Sequence, residues 1–142
     1  MINEILNKKK NLRKILTEKR NLIKKNTNFE FNIDAFNQLT EQIKFNAVDC
    51  IGSFMSIRSE ISTKQLNKTI LEMKKKLAFP TIEKNLETLT FKTTNSLKSF
   101  KMGKFNIPER THNTNDRIPQ LFFVPWLWFG LEGVRIGYEG GF

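Results

Sequence analysis

The sequence has very few of the residues that build covalent and metal-dependent sites. It contains one cysteine, Cys50, and one histidine, His112. A single cysteine excludes an internal disulfide, and it leaves no second thiol at the spacing of a metal site. A zinc centre or a Ser–His–Asp triad built around His112 would need partner residues that the sequence does not supply.

Long apolar runs are also missing. The most apolar segment, residues 121–129, is too short to span a bilayer and is interrupted by Pro125. The N-terminus is charged from Glu4 onward and has no apolar stretch of the kind found in secretory signals. These absences predict a soluble, cytoplasmic protein that does not insert into membranes.

What is present is enough apolar side chain for one core. The chain has 142 residues, of which 39% are hydrophobic, and this predicts a single domain over residues 1–142. A strand is predicted over residues 47–55, a helix after Thr63, and a second strand over residues 76–79 that stops at Pro80. Because a strand–helix–strand unit of this length joins parallel strands, the pattern predicts a parallel α/β sheet.

The remaining segments extend that prediction. Asp34 is the predicted N-cap of a short helix, and residues 87–92 alternate in the manner of a strand. Residues 121–124 are fully apolar and are predicted to form the central strand. Residues 95–117 are polar and contain both glycine and proline, so they are predicted to form a long loop.

The positive charge is concentrated at the N-terminus. The whole chain carries a net charge of +10, and residues 1–26 contain nine basic and two acidic side chains, a net charge of +7. The apolar residues of this stretch have the spacing of an amphipathic helix packed on a core; they are Ile5, Leu12, Ile15, Leu16, Leu22 and Ile23. At about 100° per residue, Lys9, Arg13 and Arg20 fall within roughly 40° of one another.

This cationic strip has three interpretations that charge alone leaves open. It is a solvated face that keeps the protein soluble, a nucleic-acid footprint, or a narrower phosphate site. No aromatic residues interleave with the basic ones, and this weakens the nucleic-acid interpretation.

A second phosphate signal lies at the other end of the sequence. Residues 135–142 read RIGYEGGF, with three glycines in five residues. A glycine-rich turn after a strand normally precedes a helix whose free N–H groups hold an anion. Here no helix follows, so the motif is weak when taken alone.

Four ordered segments carry a resemblance to a known family. Residues 9–13 (KKNLR), with Arg20 beyond them, are similar to an N-terminal K-x-x-L-R…R helix. Residues 54–63 (FMSIRSEIST) resemble an F-x-S-x-x-x-E-I-x-T turn. Both patterns are typical of the 5-formyltetrahydrofolate cyclo-ligase family, also known as 5,10-methenyltetrahydrofolate synthetase.

The other two segments follow in the family's order. Residues 102–109 (MGKFNIPE) resemble its G-x-x-x-I-P-E segment. Residues 124–125 (VP) and 133–142 (GVRIGYEGGF) resemble V-P-G-L-A-F-D…G-x-R-L-G-Y-G-G-G-F-Y-D. Each segment is weak singly, and their order and spacing over essentially the whole chain make the resemblance fairly strong.

The resemblance implies a fold and an activity. The fold would be α/β, a three-layer architecture whose mostly parallel sheet has helices on both faces. The activity would be ATP-dependent closure of 5-formyltetrahydrofolate to 5,10-methenyltetrahydrofolate, with ADP and phosphate as products. ATP and Mg²⁺ would be required, and the protein would be a monomer. Such chemistry depends on positioning and charge neutralisation, so no residue is assigned as a catalytic nucleophile.

The resemblance also assigns binding roles. The residues implied to hold the ATP phosphates are Lys9, Arg13, Arg135, Gly137, Gly140 and Gly141. The residues implied to bind folate are Phe54, Met55, Glu60 and Phe105. An acid suits the position of Glu60 because pterin rings present N–H donors. The competing interpretations are plain core packing for Phe54 and Met55, and a solvated turn acid for Glu60.

The sequence departs from the family pattern at four points. Gly130 stands where the family has the aspartate of L-A-F-D, Arg110 follows Glu109 where proline is usual, and Glu139 replaces a glycine of the phosphate loop. The sequence ends at Phe142, before the Tyr-Asp whose aspartate helps to hold magnesium, so no metal ligand is assigned. The family's C-terminal strand and helix are expected to be missing.

These departures predict a shortened cyclo-ligase homologue with little activity. Two alternatives remain. The first is a non-catalytic protein that binds folate but not nucleotide, because the Glu60 turn is intact and the phosphate loop is not. The second, less favoured, is a basic nucleic-acid-binding domain.

Overall fold

The computed structural model describes residues 1–82, 89–94, 97, 100–102, 108–110 and 117–137. The described helices are α1 (Ile2–Asn26), α2 (Ile33–Gln42) and α3 (Lys64–Glu72), with a short 3₁₀ helix at Phe45–Ala47. The strands are β1 (Cys50–Gly52), β2 (Lys76–Ile82), β3 (Leu89–Thr94), β4 (Phe100–Met102), β5 (Pro108–Arg110), β6 (Leu121–Phe122), β7 (Trp128–Phe129) and β8 (Arg135–Ile136). Within these ranges no helix has the length and apolar character needed to cross a bilayer.

The main sheet is mixed and mostly parallel. Four strands lie in the order β3-β2-β1-β6; β1 runs parallel to β2 and to β6, and β3 is antiparallel to β2. The strands β4 and β5 form a separate antiparallel pair, as do β7 and β8. The predicted strand–helix–strand unit is confirmed as β1-α3-β2, and the predicted α/β class with it.

One face of this sheet carries the core. Side chains of β1 and β2 alternate between the two faces, and those on the core face meet apolar side chains from α2 and α3. The buried cluster consists of Phe36, Phe45, Ile51, Leu66, Ile70, Leu77 and Phe79. The spacing of Leu66 and Ile70 places both on one face of α3, which is why this helix packs flat on the sheet.

The opposite face of the sheet is crowded around Gly52. The rings of Phe91 and Phe122 meet edge to face there, with centroids 5.1 Å apart. A Cβ atom added to Gly52 would lie 2.9 Å from Cδ1 of Phe122 and 3.1 Å from Cγ of Pro119. Glycine is therefore required here for close packing.

We expect Gly52→Ala to lower the free energy of unfolding by about 1–3 kcal/mol, the usual penalty of overpacking. Urea denaturation measures it, with Gly137→Ala as the control because nothing lies within 4 Å of a Cβ at that position. Equal midpoints for the two variants would contradict the crowding around Gly52.

Pro80 does not end its strand, contrary to the prediction. The strand β2 continues to Ile82, with Pro80 paired to Phe91 of β3. The backbone groups of Lys76 and Ala78 bond toward the β1 side, so the nitrogen of Pro80 faces that side too. Because β1 has already ended at Gly52, no ladder hydrogen bond is lost to the proline.

The helix α1 confirms the prediction of a long helix and contradicts the prediction of how it packs. Five of its six predicted core residues are exposed, Leu16 is half-buried, and the only buried residue of the helix is Arg20. The described hydrogen bonds that join side chains of α1 to distant parts of the protein come from Arg13, Arg20 and Lys24. These cations lie roughly a quarter turn away from the apolar stripe, so docking through them leaves the stripe in solvent.

Other local predictions are corrected by competing contacts. Asn32, rather than Asp34, caps α2, because its side chain accepts hydrogen bonds from the amides of Asp34 and Ala35. The strand predicted over residues 47–55 is confined to the three residues of β1.

The second half of the chain differs from the prediction as well. Part of the predicted loop over residues 95–117 forms the β4–β5 pair. The strand predicted for the sheet centre is the two-residue β6 at one end of the four-strand order, where Phe122 is 45% exposed.

Candidate functional site

The candidate site lies where the carboxyl ends of β1 and β6 meet. From β1 the chain crosses through α3 to β2 on one side, while the later strand β6 pairs on the other side of β1. Open α/β sheets bind ligands at such a reversal, because the loops leaving the two strands diverge and open a crevice. Residues 53–60 follow β1, and residues 123–127 follow β6.

A cleft of about 190 Å³ occupies this position. Its walls are largely aromatic, with two charged side chains among them. The lining residues are Arg20, Phe29, Phe31, Phe54, Glu60, Ile61, Phe123, Val124, Pro125 and Trp126. Pockets that enclose a drug-sized ligand measure roughly 300–1,000 Å³, so this cleft suits one flat ring system rather than a whole elongated ligand.

Glu60 is the buried acid of the cleft, with only 4% of its surface exposed. One carboxylate oxygen, Oε2, accepts a hydrogen bond of 2.9 Å from the backbone amide of Ile57. Burial raises the pKa of the Glu60 carboxyl, and the Ile57 amide together with the charge of Arg20 opposes part of that increase. The structure therefore excludes a solvated turn acid, and it places a carboxyl beside an apolar cleft where it can accept N–H donors.

Arg20 joins the two walls of the cleft. Its Nε donates to Oγ of Ser59 at 3.0 Å, and its Nη1 approaches the carbonyl oxygen of Trp126 at 3.5 Å. The side chain is 8% exposed. The cationic strip of α1 thus reaches into the cleft at Arg20, which supplies positive charge near Glu60.

Phe29 and Phe31 form a wall of the cleft that the sequence does not predict. A parallel bridge holds this segment: the Phe31 amide donates to the Ser62 carbonyl, and the Ser62 amide donates to the Phe29 carbonyl, both at 2.9 Å. The Phe31 ring packs edge to face on Phe123 at 5.5 Å. The signal in the sequence is the alternation of Phe29 and Phe31, which is strand-like.

Four of the six predicted phosphate-binding residues lie within the described part of the chain, and two do not. Arg13 donates through Nε to the carbonyl oxygen of Gly137 at 3.0 Å, which joins α1 to the segment after β8. Arg135 stacks its guanidinium over the ring of Trp126 at 5.4 Å. Lys9 is exposed on the same strip of α1 as Arg13. Gly140 and Gly141 lie outside the described residues.

The predicted folate residues are placed unevenly. Phe54 and Glu60 both line the cleft. Met55 is half-buried and packs against the core cluster, in keeping with the core-packing interpretation. Phe105 lies outside the described residues. The part of the chain that the structure describes contains no group of three His, Cys, Asp or Glu side chains suited to a metal ion.

Comparisons with known proteins agree with the resemblance seen in the sequence. The sequence profile of the 5-formyltetrahydrofolate cyclo-ligase family matches residues 5–142. The fold is similar to the NMR structure of Aquifex aeolicus 5,10-methenyltetrahydrofolate synthetase, with a TM-score of 0.64, 20% sequence identity, and coverage of 92% of this chain and 67% of that chain. No curated protein sequence matches this chain.

Proposed function

This chain belongs to the 5-formyltetrahydrofolate cyclo-ligase family, and on that basis we propose that it closes 5-formyltetrahydrofolate to 5,10-methenyltetrahydrofolate at the expense of ATP. The single observation that carries the proposal is the position of Glu60. It is a buried carboxyl in an aromatic cleft at the carboxyl ends of parallel strands. A pterin ring presents N–H donors to such a carboxyl and a flat face to the aromatic walls.

The size of the cleft agrees with this assignment. Its volume of about 190 Å³ suits the bicyclic ring of folate. Trp126 is 42% exposed at the margin of the cleft, so the benzoyl and glutamate parts of folate would extend past it into solvent. We therefore propose that Phe54, Phe31 and Trp126 flank the ring and that Glu60 orients it.

The phosphate side of the proposal depends on α1 and the segment after β8. Arg13 and Gly137 are in contact, Arg135 lies beside the cleft over Trp126, and Lys9 is free of burial on the same helix strip. These cations would neutralise the charge on the ATP phosphates, with Gly140 and Gly141 adding backbone N–H groups.

The proposed reaction has two steps. The formyl oxygen of the substrate attacks the γ-phosphorus of ATP, and the bond from that phosphorus to the leaving ADP breaks. N10 of the folate then attacks the activated formyl carbon and loses its proton to solvent, and phosphate leaves with the former formyl oxygen. The contribution of the protein is to hold the two substrates in line and to neutralise charge.

The described residues contain no group of three metal-ligating side chains. Magnesium at phosphoryl-transfer sites is usually held by one or two carboxylates together with substrate phosphates, and no step is assigned to a metal site of this chain. Cys50 is buried, and burial raises the pKa of its thiol. It is therefore a poor nucleophile, which agrees with a reaction that needs none.

The proposal predicts ATP-dependent formation of the methenyl product, at a low rate because of the departures from the family pattern in the phosphate loop. The measurement is its absorbance in a mixture of the purified chain, 5-formyltetrahydrofolate, ATP and Mg²⁺. We expect Arg13→Ala to lower kcat/KM by about 10–100-fold, as expected for a lost charge-assisted contact to phosphate. Lys10→Ala is the control, since Lys10 is an exposed cation on the same helix outside the strip. Equal losses in both variants would show that general charge, rather than Arg13, matters.

A second candidate function is folate binding without ATP chemistry. It is favoured by the contact between Arg13 and the Gly137 carbonyl, which engages a predicted phosphate ligand within the protein itself. Titration calorimetry with each ligand separately distinguishes the two. Folate binding with no measurable ATP binding supports the second candidate, and binding of both supports the ligase.

A further inference from the structure

A buried polar network lies directly beneath the cleft, between the end of β1 and the start of α3. Ser53, Thr63 and Asn67 are 2%, 1% and 0% exposed. Oγ of Ser53 donates to Oδ1 of Asn67 at 2.5 Å, and Nδ2 of Asn67 donates to the carbonyl oxygen of Phe54 at 3.2 Å. Oγ1 of Thr63 donates to the same carbonyl at 2.7 Å. Thr63 at the N-cap of α3 and Asn67 within α3 thus both donate to the backbone carbonyl of Phe54.

This convergence is unusual for a core helix. Asn67 lies beside Leu66 on the buried face of α3, where an apolar residue would bury without loss. A buried amide side chain is tolerated only when it is hydrogen-bonded, since an unbonded one loses its hydrogen bonds to water without replacement. Its amide nitrogen donates to the carbonyl of Phe54, a residue that lines the cleft, and also to Oγ1 of Thr63 at 3.3 Å. The hydrogen bonds of Asn67 therefore hold a cleft residue in place, in addition to any stabilisation of α3.

The network also extends into the turn that carries Glu60. The Thr63 amide donates to Oγ of Ser56 at 3.0 Å, and that oxygen in turn donates to the carbonyl of Ile61 at 2.5 Å. The turn contains Arg58 at a φ of 52°, the left-handed region that a non-glycine residue adopts only under constraint. Lys24 of α1 donates to the carbonyl of Arg58 from outside. The turn is therefore held at both ends and at its strained centre.

We propose that Asn67 is a positioning residue of the cleft, which fixes the Phe54 carbonyl and thereby directs the Phe54 ring and the Glu60 carboxyl toward the ligand. The identity of that ligand rests on the proposed function, whereas the positioning of the turn does not. If Asn67 served only to stabilise α3, a variant without it would lose stability and leave the turn unchanged.

The experiment removes both side-chain partners together. In Ser53→Ala/Asn67→Leu the hydrogen-bonded pair is replaced by apolar groups, while the Phe54 carbonyl keeps the Thr63 hydroxyl as a donor, so the loss of global stability should be small. The matched control is Ile70→Val, which removes one buried methylene group from the same helix and lowers stability modestly. NMR of the free proteins measures the amide exchange rate of Ile57, which donates to Glu60, and the pKa of the Glu60 carboxyl. Calorimetry measures the dissociation constant for 5-formyltetrahydrofolate.

We expect at least tenfold faster exchange of the Ile57 amide in the double variant, equivalent to about 1.4 kcal/mol of lost local stability. The pKa of Glu60 should fall toward its ordinary value as the carboxyl moves into water, and folate binding should weaken. Ile70→Val should change none of these. Unchanged Ile57 exchange and an unchanged Glu60 pKa in the double variant would overturn the inference. Faster exchange without folate binding by any of the proteins, the parent included, would contradict the proposed function alone.

A second variant covers the case in which the double variant does not fold. Thr63→Val removes the other donor to the Phe54 carbonyl with little change of shape, and Thr63→Ser keeps the hydroxyl. The inference requires Thr63→Val to accelerate Ile57 exchange and Thr63→Ser to restore the parent rate. The same rate in both variants would overturn it.

Discussion

Glu60→Gln is expected to weaken the binding of 5-formyltetrahydrofolate by about 100-fold while leaving the protein folded. The loss follows because an amide cannot replace a carboxylate as the acceptor of several N–H donors, and each charge-assisted hydrogen bond contributes roughly 1.5–3 kcal/mol. Glutamine still has an oxygen that can accept the amide hydrogen bond of Ile57. Calorimetric titration measures the loss, and Glu30→Gln, the same change at an exposed position near the cleft, is the control.

The same substitution should raise stability at neutral pH. Because burial raises the pKa of Glu60 in the folded state, the native protein holds this proton more tightly than the unfolded chain. Its contribution to stability is complete below the unfolded pKa of about 4.3 and is lost as pH rises through the folded pKa. Thermal melts across this pH range should therefore show that the melting temperature falls more steeply with rising pH in the parent than in Glu60→Gln. Parallel pH profiles would mean that Glu60 is not buried in solution.

Arg20→Met is expected to lower the free energy of unfolding by about 2–3 kcal/mol and to weaken folate binding as well. Methionine keeps an apolar stem of similar length but removes the donors to Ser59 and Trp126. It also removes positive charge near the buried Glu60, which then becomes more costly to ionise. Urea denaturation measures the loss, and Lys19→Met, an exposed change on the same helix, should be close to neutral.

A double-mutant cycle separates the two causes of that loss. If the charge on Glu60 accounts for much of it, Arg20→Met will cost less in the Glu60→Gln background than in the parent. Additive effects would instead assign the loss to contacts of Arg20 other than Glu60, among them the hydrogen bonds with Ser59 and Trp126. The cycle therefore tests whether the acid and the cation of the cleft act as one unit.

The cationic strip of α1 shows how far sequence reasoning reaches. Periodicity places Lys9, Arg13 and Arg20 on one strip, and the structure agrees that this strip faces the rest of the protein. Periodicity does not predict that Arg13 and Arg20 have different hydrogen-bond partners. Seven residues of helix span about 10 Å, so Arg13 reaches Gly137 whereas Arg20 reaches Ser59 and the cleft. Those partners are more than thirty residues away along the chain, and no local pattern encodes them.

At the apolar residues of α1 and at Glu60, the usual interpretation of the sequence pattern is wrong. A stripe of Ile and Leu at helical spacing normally indicates a core contact, yet Ile5 and Leu12 are exposed because the helix docks through its cations. An acid in a polar turn normally indicates a solvated side chain, yet Glu60 is buried in a cleft that Arg20 of α1 and the chain after β6 also line. In both cases the outcome depends on a segment distant in sequence.

Local periodicity and ordered motifs were sufficient to predict the helix α1, the β1-α3-β2 unit, the α/β class and the family. That Phe29 and Phe31 form a cleft wall, and that Asn67 donates to the Phe54 carbonyl, became evident from the folded chain alone. Burial and hydrogen bonding depend on which distant segments of the chain come into contact, and local sequence patterns do not specify those contacts. A residue such as Asn67 reads as a surface side chain until the chain brings Ser53 and Phe54 to it.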